Sequence, residues 1–133
     1  MRFLLDTDTC IALIKRQPAG TLKRLTSLEA GEAGISAVTL AELRFGVAKS
    51  SDRERNGRAL DEFLLPLEVA DFDQGAADSY GAVRASLEAS GRPIGPLDTL
   101  IGAHALALGA VLVTHNVREF RRIPGLPVED WLA

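Results

Sequence analysis

The chain has 133 residues, 47% of them hydrophobic and 25% charged, with a formal net charge of -3. That balance is globular and the length buries a core within one domain, 1–133, so a disordered or fibrous chain is excluded. The negative total gives no whole-protein attraction to nucleic acid, and the single Cys10 excludes an internal disulfide and suits a reducing compartment.

Residues 2–5 are a short apolar run that predicts a buried strand. Asp6 and Asp8 then precede a short helix at 10–15, with Asp8 or Thr9 as its N-cap, and Pro18 breaks it. Leu22, Leu25 and Leu28 recur at helical spacing over 21–30, and Gly31 and Gly34 lead into a brief strand at 35–36. Ser36 or Thr39 caps a helix to about Lys49, with Leu40, Leu43 and Val47 on one face. Residues 52–64 read as a charged amphipathic helix ending before Pro66, and 67–69 as a third strand. Asp73 caps a long helix that finishes near Gly91, and a Pro/Gly loop follows to Pro96. The helix over 97–108 is nearly all apolar and therefore central, with Gly109 closing it. Residues 111–114 are the clearest buried strand, followed by a short helix at 116–121 and an edge strand at 128–129. Strands alternating with helices predict an α/β fold, a three-layer α/β/α arrangement around a mainly parallel sheet of about five strands.

Right-handed crossovers bring the C-terminal ends of parallel strands to one edge, where ligands bind. Asp6 follows the first strand and Asn116 the strand at 111–114, while Glu42 and Asp98 lie in the early turns of helices starting at the same edge. Ionised carboxylates beside apolar segments need a partner, and the chain offers few buried cations. A divalent metal is such a partner, and carboxylates around a metal suggest phosphate chemistry. No Cys/His set has zinc spacing. No apolar run reaches membrane-spanning length and none has the pattern of an export signal, so a cytoplasmic location is expected.

The segments Phe3–Ile11, Ile35–Gly46, Gly91–Ala105 and Leu112–Trp131 together carry a resemblance. In order and over nearly the whole chain, they resemble PIN-domain ribonucleases, and more narrowly the VapC toxins of bacterial VapBC toxin–antitoxin pairs. The resemblance implies a parallel sheet between helices and endonucleolytic cleavage of structured RNA such as tRNA, using Mg²⁺ or Mn²⁺. It makes Asp6, Glu42 and Asp98 an acidic triad, with Asn116 at a fourth position that is often Asp. Asp6 and Asp98 would hold the main ion, Glu42 would orient or deprotonate water, and Asn116 with Thr114 would position the outer shell. It also implies a homodimer, a cognate VapB-type antitoxin, and DNA binding through that antitoxin rather than through this chain.

Each residue also has a plainer reading. Asp98 can be a helix cap, Glu42 a solvated helix residue, and Asp6 and Asp8 turn residues. Asp8 suits an N-cap or outer-shell role, and Cys10 a small buried hydrophobe. His104 reads as a satisfied core histidine; His115 should point opposite to Thr114 and Asn116. Arg118, Arg121 and Arg122 either contact RNA phosphate or form a solvated face. The same holds for Arg44, Lys49, Arg53, Arg55 and Arg58, and Trp131 packs the C-terminus. Two alternatives stay open: a haloacid-dehalogenase-type phosphotransferase with Asp6 as nucleophile, and a non-catalytic PIN-like binding module.

Overall fold

The computed structural model describes residues 1–132. Five strands, β1 (Phe3–Leu5), β2 (Ala33–Ser36), β3 (Glu68–Ala70), β4 (Val111–Val113) and β5 (Val128–Glu129), pair in the order β3-β2-β1-β4-β5. Every pairing is parallel. The chain builds outward from β1 through β2 to β3, then crosses to the other side of β1 for β4 and β5. The direction of winding therefore reverses between β1 and β4, which opens a crevice above their C-terminal ends.

Seven helices cover the sheet: α1 (Thr7–Lys15), α2 (Leu22–Thr26), α3 (Ala37–Ala48), α4 (Arg53–Leu64), α5 (Gln74–Ala89), α6 (Pro96–Leu108) and α7 (Val117–Phe120). Alternation along β1 assigns the two layers. Leu4 packs with Leu112, Val83 and Leu87 of α5, Ile101 of α6 and Phe120 of α7. Phe3 and Leu5 face the other way, among Cys10 and Leu13 of α1, Leu43 of α3 and Leu60 of α4. Both sheet faces are thus buried, as an all-parallel sheet requires.

The elements expected from the sequence all form, with informative differences at their ends. α1 begins at Thr7 and its N-cap is Asp6, not Asp8 or Thr9. The chain turns directly from β1 into the helix, so the Asp6 carboxylate is the first side chain able to accept from an orphan N–H. α2 stops at Thr26 rather than Ala30, and at its end the Thr26 and Ser27 hydroxyls bond back to the carbonyls of Leu22, Lys23 and Arg24. Leu28 still joins Leu22 and Leu25 against the core. β2 starts at Ala33, two residues early; Ala33 and Gly34 have weak strand propensity but pair with the central β1. Ser36 caps α3 through its hydroxyl on the Val38 amide, 3.0 Å, and Asp73 caps α5.

Close packing of α6 on the segment after β4 depends on one glycine. A Cβ at Gly102 would sit 2.5 Å from Ile123 Cδ1 and 3.3 Å from Phe120 Cδ1. The bare backbone lets Phe120 and Ile123 lie directly on the helix that carries Asp98.

Candidate active site

Asp6 ends the central strand, so the fold places its carboxylate in the crevice between β1 and β4. It is only 4% exposed. One oxygen accepts from the Thr9 amide at 2.9 Å. Burial pushes its pKa above the ordinary carboxylate range; the Thr114 hydroxyl and the Thr9 amide and hydroxyl pull it back. Thr114 is buried at the end of β4, and its hydroxyl also accepts from the Asn116 amide at 2.9 Å. One side chain therefore serves both Asp6 and the turn into α7.

Glu42 lies on α3, half-buried. The Thr7 hydroxyl donates to its Oε1 at 2.7 Å, so the first residue of α1 holds the α3 carboxylate toward Asp6. Asp98 stands in the first turn of α6, after Gly95 and Pro96 at its N-terminus. Its pKa is pushed up to about 6, first by burial and then by the charges of Asp6, Glu42, Glu119 and Asp8. The charges of acids on or before α1, on α3 and on α7 thus all act on Asp98 of α6.

Sequence reasoning counts three acids here and misses Glu119. The signal was available, since Glu119 lies three residues beyond Asn116 and therefore beside it on a helix. Asn116 itself is exposed; it is the N-cap residue of α7 but its side chain makes no capping bond. Asp8 is exposed in the first turn of α1.

Among the described residues, Asp6, Glu42, Asp98 and Glu119 form no ion pair with any Lys, Arg or His. Nor are three His, Cys, Asp or Glu side chains grouped closely enough to hold a metal ion as they stand. One oxygen each of Asp6 and Glu42 is taken by the α1 backbone and by Thr7. The donor chemistry nonetheless fits a hard cation: the cluster is all oxygen, uncompensated by protein cations, with amide and hydroxyl donors oriented around it.

The remaining candidates separate clearly. Arg118 and Arg121 are exposed and make no ion pair among the described residues. Arg122 differs: its guanidinium donates to the Pro93 carbonyl at 3.1 Å, and its Nε is buried. His115 points away from Thr114, exposed, with Nδ1 3.0 Å from Asp130 Oδ2. His104 is buried; its Nδ1 meets the Ser36 hydroxyl at 2.8 Å while Nε2 lacks a partner. Burial lowers its pKa, so it is neutral at pH 7, a core residue only half satisfied. In the other basic group, Arg44 pairs with Asp61, Arg58 with Glu54, and Lys49 lies over the Phe45 ring. Cys10 is fully buried and its thiol pKa is raised by that burial, consistent with an inert core residue. Trp131 packs edge-on against Phe3, centroids 5.4 Å apart, and its indole N–H reaches Glu129, which also pairs with Arg24.

Residues 3–126 match the PIN domain family. The chain is 44% identical over 131 residues, 98% of each chain, to the tRNA(fMet)-specific endonuclease VapC of Shigella flexneri. It is 42% identical over 132 residues, again 98% of each, to the ribonuclease VapC2 of Rickettsia felis. The fold superposes with a TM-score of 0.92 and 44% identity, over 98% of both chains, on DNA-bound VapBC of Salmonella typhimurium. Against Rickettsia felis VapBC2 bound to a promoter DNA fragment the TM-score is 0.88, with 41% identity over 98% and 99% of the two chains. The order β3-β2-β1-β4-β5, the acids gathered at its switch point and full-length identity above 40% lead to one assignment: the chain belongs to the PIN-domain family, among the VapC ribonucleases.

Proposed function

We propose that the whole chain acts as one PIN domain, the endoribonuclease toxin of a toxin–antitoxin pair, and that it hydrolyses a phosphodiester bond in tRNA. The observation that carries the catalytic part is the shared field at Asp98, whose pKa is pushed up to about 6 by burial and by the surrounding carboxylates. Such clustered like charge costs stability and finds its use in binding a cation. The initiator tRNA is the first substrate to test, because two relatives at 44% and 45% identity are tRNA(fMet)-specific.

Asp6 and Asp98 would hold Mg²⁺ or Mn²⁺, with Glu119 adding a fourth negative charge and Asn116 a neutral carbonyl at the rim. When bound, such an ion offsets phosphate charge and acidifies a coordinated water. Glu42, oriented by Thr7, accepts the proton of the attacking water. Attack by water at phosphorus breaks the bond to the ribose 3′ oxygen, which leaves with the bonding pair and takes a proton from solvent water, giving 5′-phosphate and 3′-hydroxyl ends. Arg118 on α7 and Arg121 at its C-cap, both exposed and near Glu119, would meet backbone phosphate flanking the cut.

The partner is a VapB-type antitoxin, as the solved relatives are VapBC assemblies, two of them on DNA. DNA contact belongs to that antitoxin, and the toxin acts as a homodimer in the cytoplasm. No helix among the described residues is long and apolar enough to cross a membrane.

The test is cleavage of purified initiator tRNA beside a total tRNA pool, with Mg²⁺ or Mn²⁺ and with EDTA, using wild type, Asp6→Asn and Asp98→Asn. Discrete metal-dependent products with 5′-phosphate ends, lost in both variants, are expected. Intact RNA throughout, with antitoxin removed and Mn²⁺ present, would instead favour a binding module.

A further inference from the structure

The loop between α5 and α6 leads into the first turn of α6, which holds Asp98; Ile94 packs it on the core, but its backbone is lightly bonded. Arg92 N–H bonds to Leu87 and the Gly95 carbonyl accepts from Thr99 at 2.9 Å. Between those points, residues 93 and 94 have no hydrogen bond among the described residues except the one from Arg122. An open surface groove of about 210 Å³ runs between this loop and α5, lined by Tyr80, Arg84, Leu87, Pro93, Ile94 and Thr99.

Arg122 lies two residues past the end of α7, the helix that carries Glu119. Its Nη1 donates to Pro93 O at 3.1 Å at the surface, while its Nε is buried without a partner, so the half-buried side chain lies against the protein between the two segments. The adjacent Ile123 is seated on α6 at Gly102. Two points of attachment therefore join the α7 segment to α6, one near the middle of the helix and one just before its start.

We propose that Arg122 is a positioning residue that fixes the start of α6 against α7, and so sets Asp98 opposite Glu119; it is not a phosphate contact. This rests on the metal reading above. Arg122 is half-buried with Nη1 engaged by the Pro93 carbonyl, whereas Arg118 and Arg121 are exposed and make no ion pair among the described residues. Residues that orient metal-binding carboxylates from behind typically alter metal affinity or activity by ~10–100-fold when removed.

The experiment compares wild type with Arg122→Met, Arg122→Lys and Arg121→Met. Amide hydrogen exchange without metal is the first readout, Mn²⁺ binding by EPR the second, and steady-state cleavage the third. Arg122→Met should raise exchange selectively over residues 94–99 and 117–121 and weaken Mn²⁺ binding by about tenfold. It should lower kcat by a similar factor, with KM within about twofold. Arg122→Lys, which keeps one donor for Pro93, should recover part of each loss. Arg121→Met should leave exchange and Mn²⁺ binding unchanged and raise KM. Unaltered exchange in Arg122→Met, or a raised KM at constant kcat and Mn²⁺ affinity, would overturn the proposal. If wild type binds no Mn²⁺, the metal reading fails by itself, and exchange still decides whether Arg122 holds the loop.

Discussion

Neutralising Asp98 should make the metal-free protein more stable while abolishing its activity. The Asp98 pKa is raised from the ordinary 3.8 to about 6, so at pH 7.5 the folded state carries a charge it holds less readily than the unfolded chain does. A difference of about two pH units corresponds to about 3 kcal/mol. Partial solvent access reduces this to about 1.5 kcal/mol. Asparagine also gives up the favourable helix N-terminus, about 0.5 kcal/mol. The net gain for Asp98→Asn is about 1 kcal/mol, or ~3–5 °C in Tm for a chain of this size.

The sign follows from the direction of the shift. Because the folded pKa lies above the unfolded one, the folded form binds the proton more tightly. The associated stability is fully present below about pH 4 and is lost as pH rises through about 6. The variant's advantage should therefore be absent near pH 4, grow through pH 5–6 and level off above that. Thermal melts by circular dichroism in EDTA across this range are the assay. Adding Mn²⁺ at pH 7.5 should raise the Tm of wild type and leave Asp98→Asn unmoved, by linkage of binding to folding. A variant that melts at or below wild type in EDTA at pH 7.5, or keeps the same gap at pH 4, would refute the reasoning.

The other acids should behave differently because each has a second role. Asp6→Asn keeps an oxygen for the Thr9 amide and should melt within about 0.5 kcal/mol of wild type, whereas Asp6→Ala loses the cap and should cost about 1–2 kcal/mol in urea titrations; both should be inactive. Thr7→Val releases Glu42 and should lower kcat by about tenfold at constant KM in single-substrate kinetics. Glu119→Gln should slow cleavage by about tenfold and Asn116→Ala by much less, since Glu119 supplies charge to the field at Asp98. Gly102→Ala should lose about 1–3 kcal/mol from overpacking against Ile123 and Phe120, offset by up to about 1 kcal/mol of helix propensity, and calorimetry would read the balance.

Much of the fold is legible locally because burial and periodicity coincide. The run at 111–114 and the apolar helix after Pro96 are central, and both read that way from composition alone. Where the reading slips, a tertiary effect has overridden a local preference. Ala33 and Gly34 look like loop, yet β1 on one side and β3 on the other supply partners that a single strand cannot show. The α2 boundary differs in another way: the helix ends at Thr26, where the Thr26 and Ser27 hydroxyls bond back to its carbonyls, while its apolar spacing runs on to Leu28.

The site is legible in a different way. Asp6, Glu42 and Asp98 are visible because carboxylates interrupt apolar segments whose strand ends must converge. Charges on solvated helices carry no such contrast, so Glu119 stays hidden among Arg118, Arg121 and Arg122 until α7 is docked above β4. The same docking separates those arginines. Identical in type and nearly adjacent in sequence, they differ in that Arg122 faces the Pro93 carbonyl and the other two face water. No periodicity in a four-residue helix specifies that difference, and the packing contact next to Arg122 is Ile123 against Gly102 of α6. What the sequence encodes here is therefore a contact, glycine against isoleucine. The different surroundings of the three arginines and of Glu119 appear only once the backbone is in place.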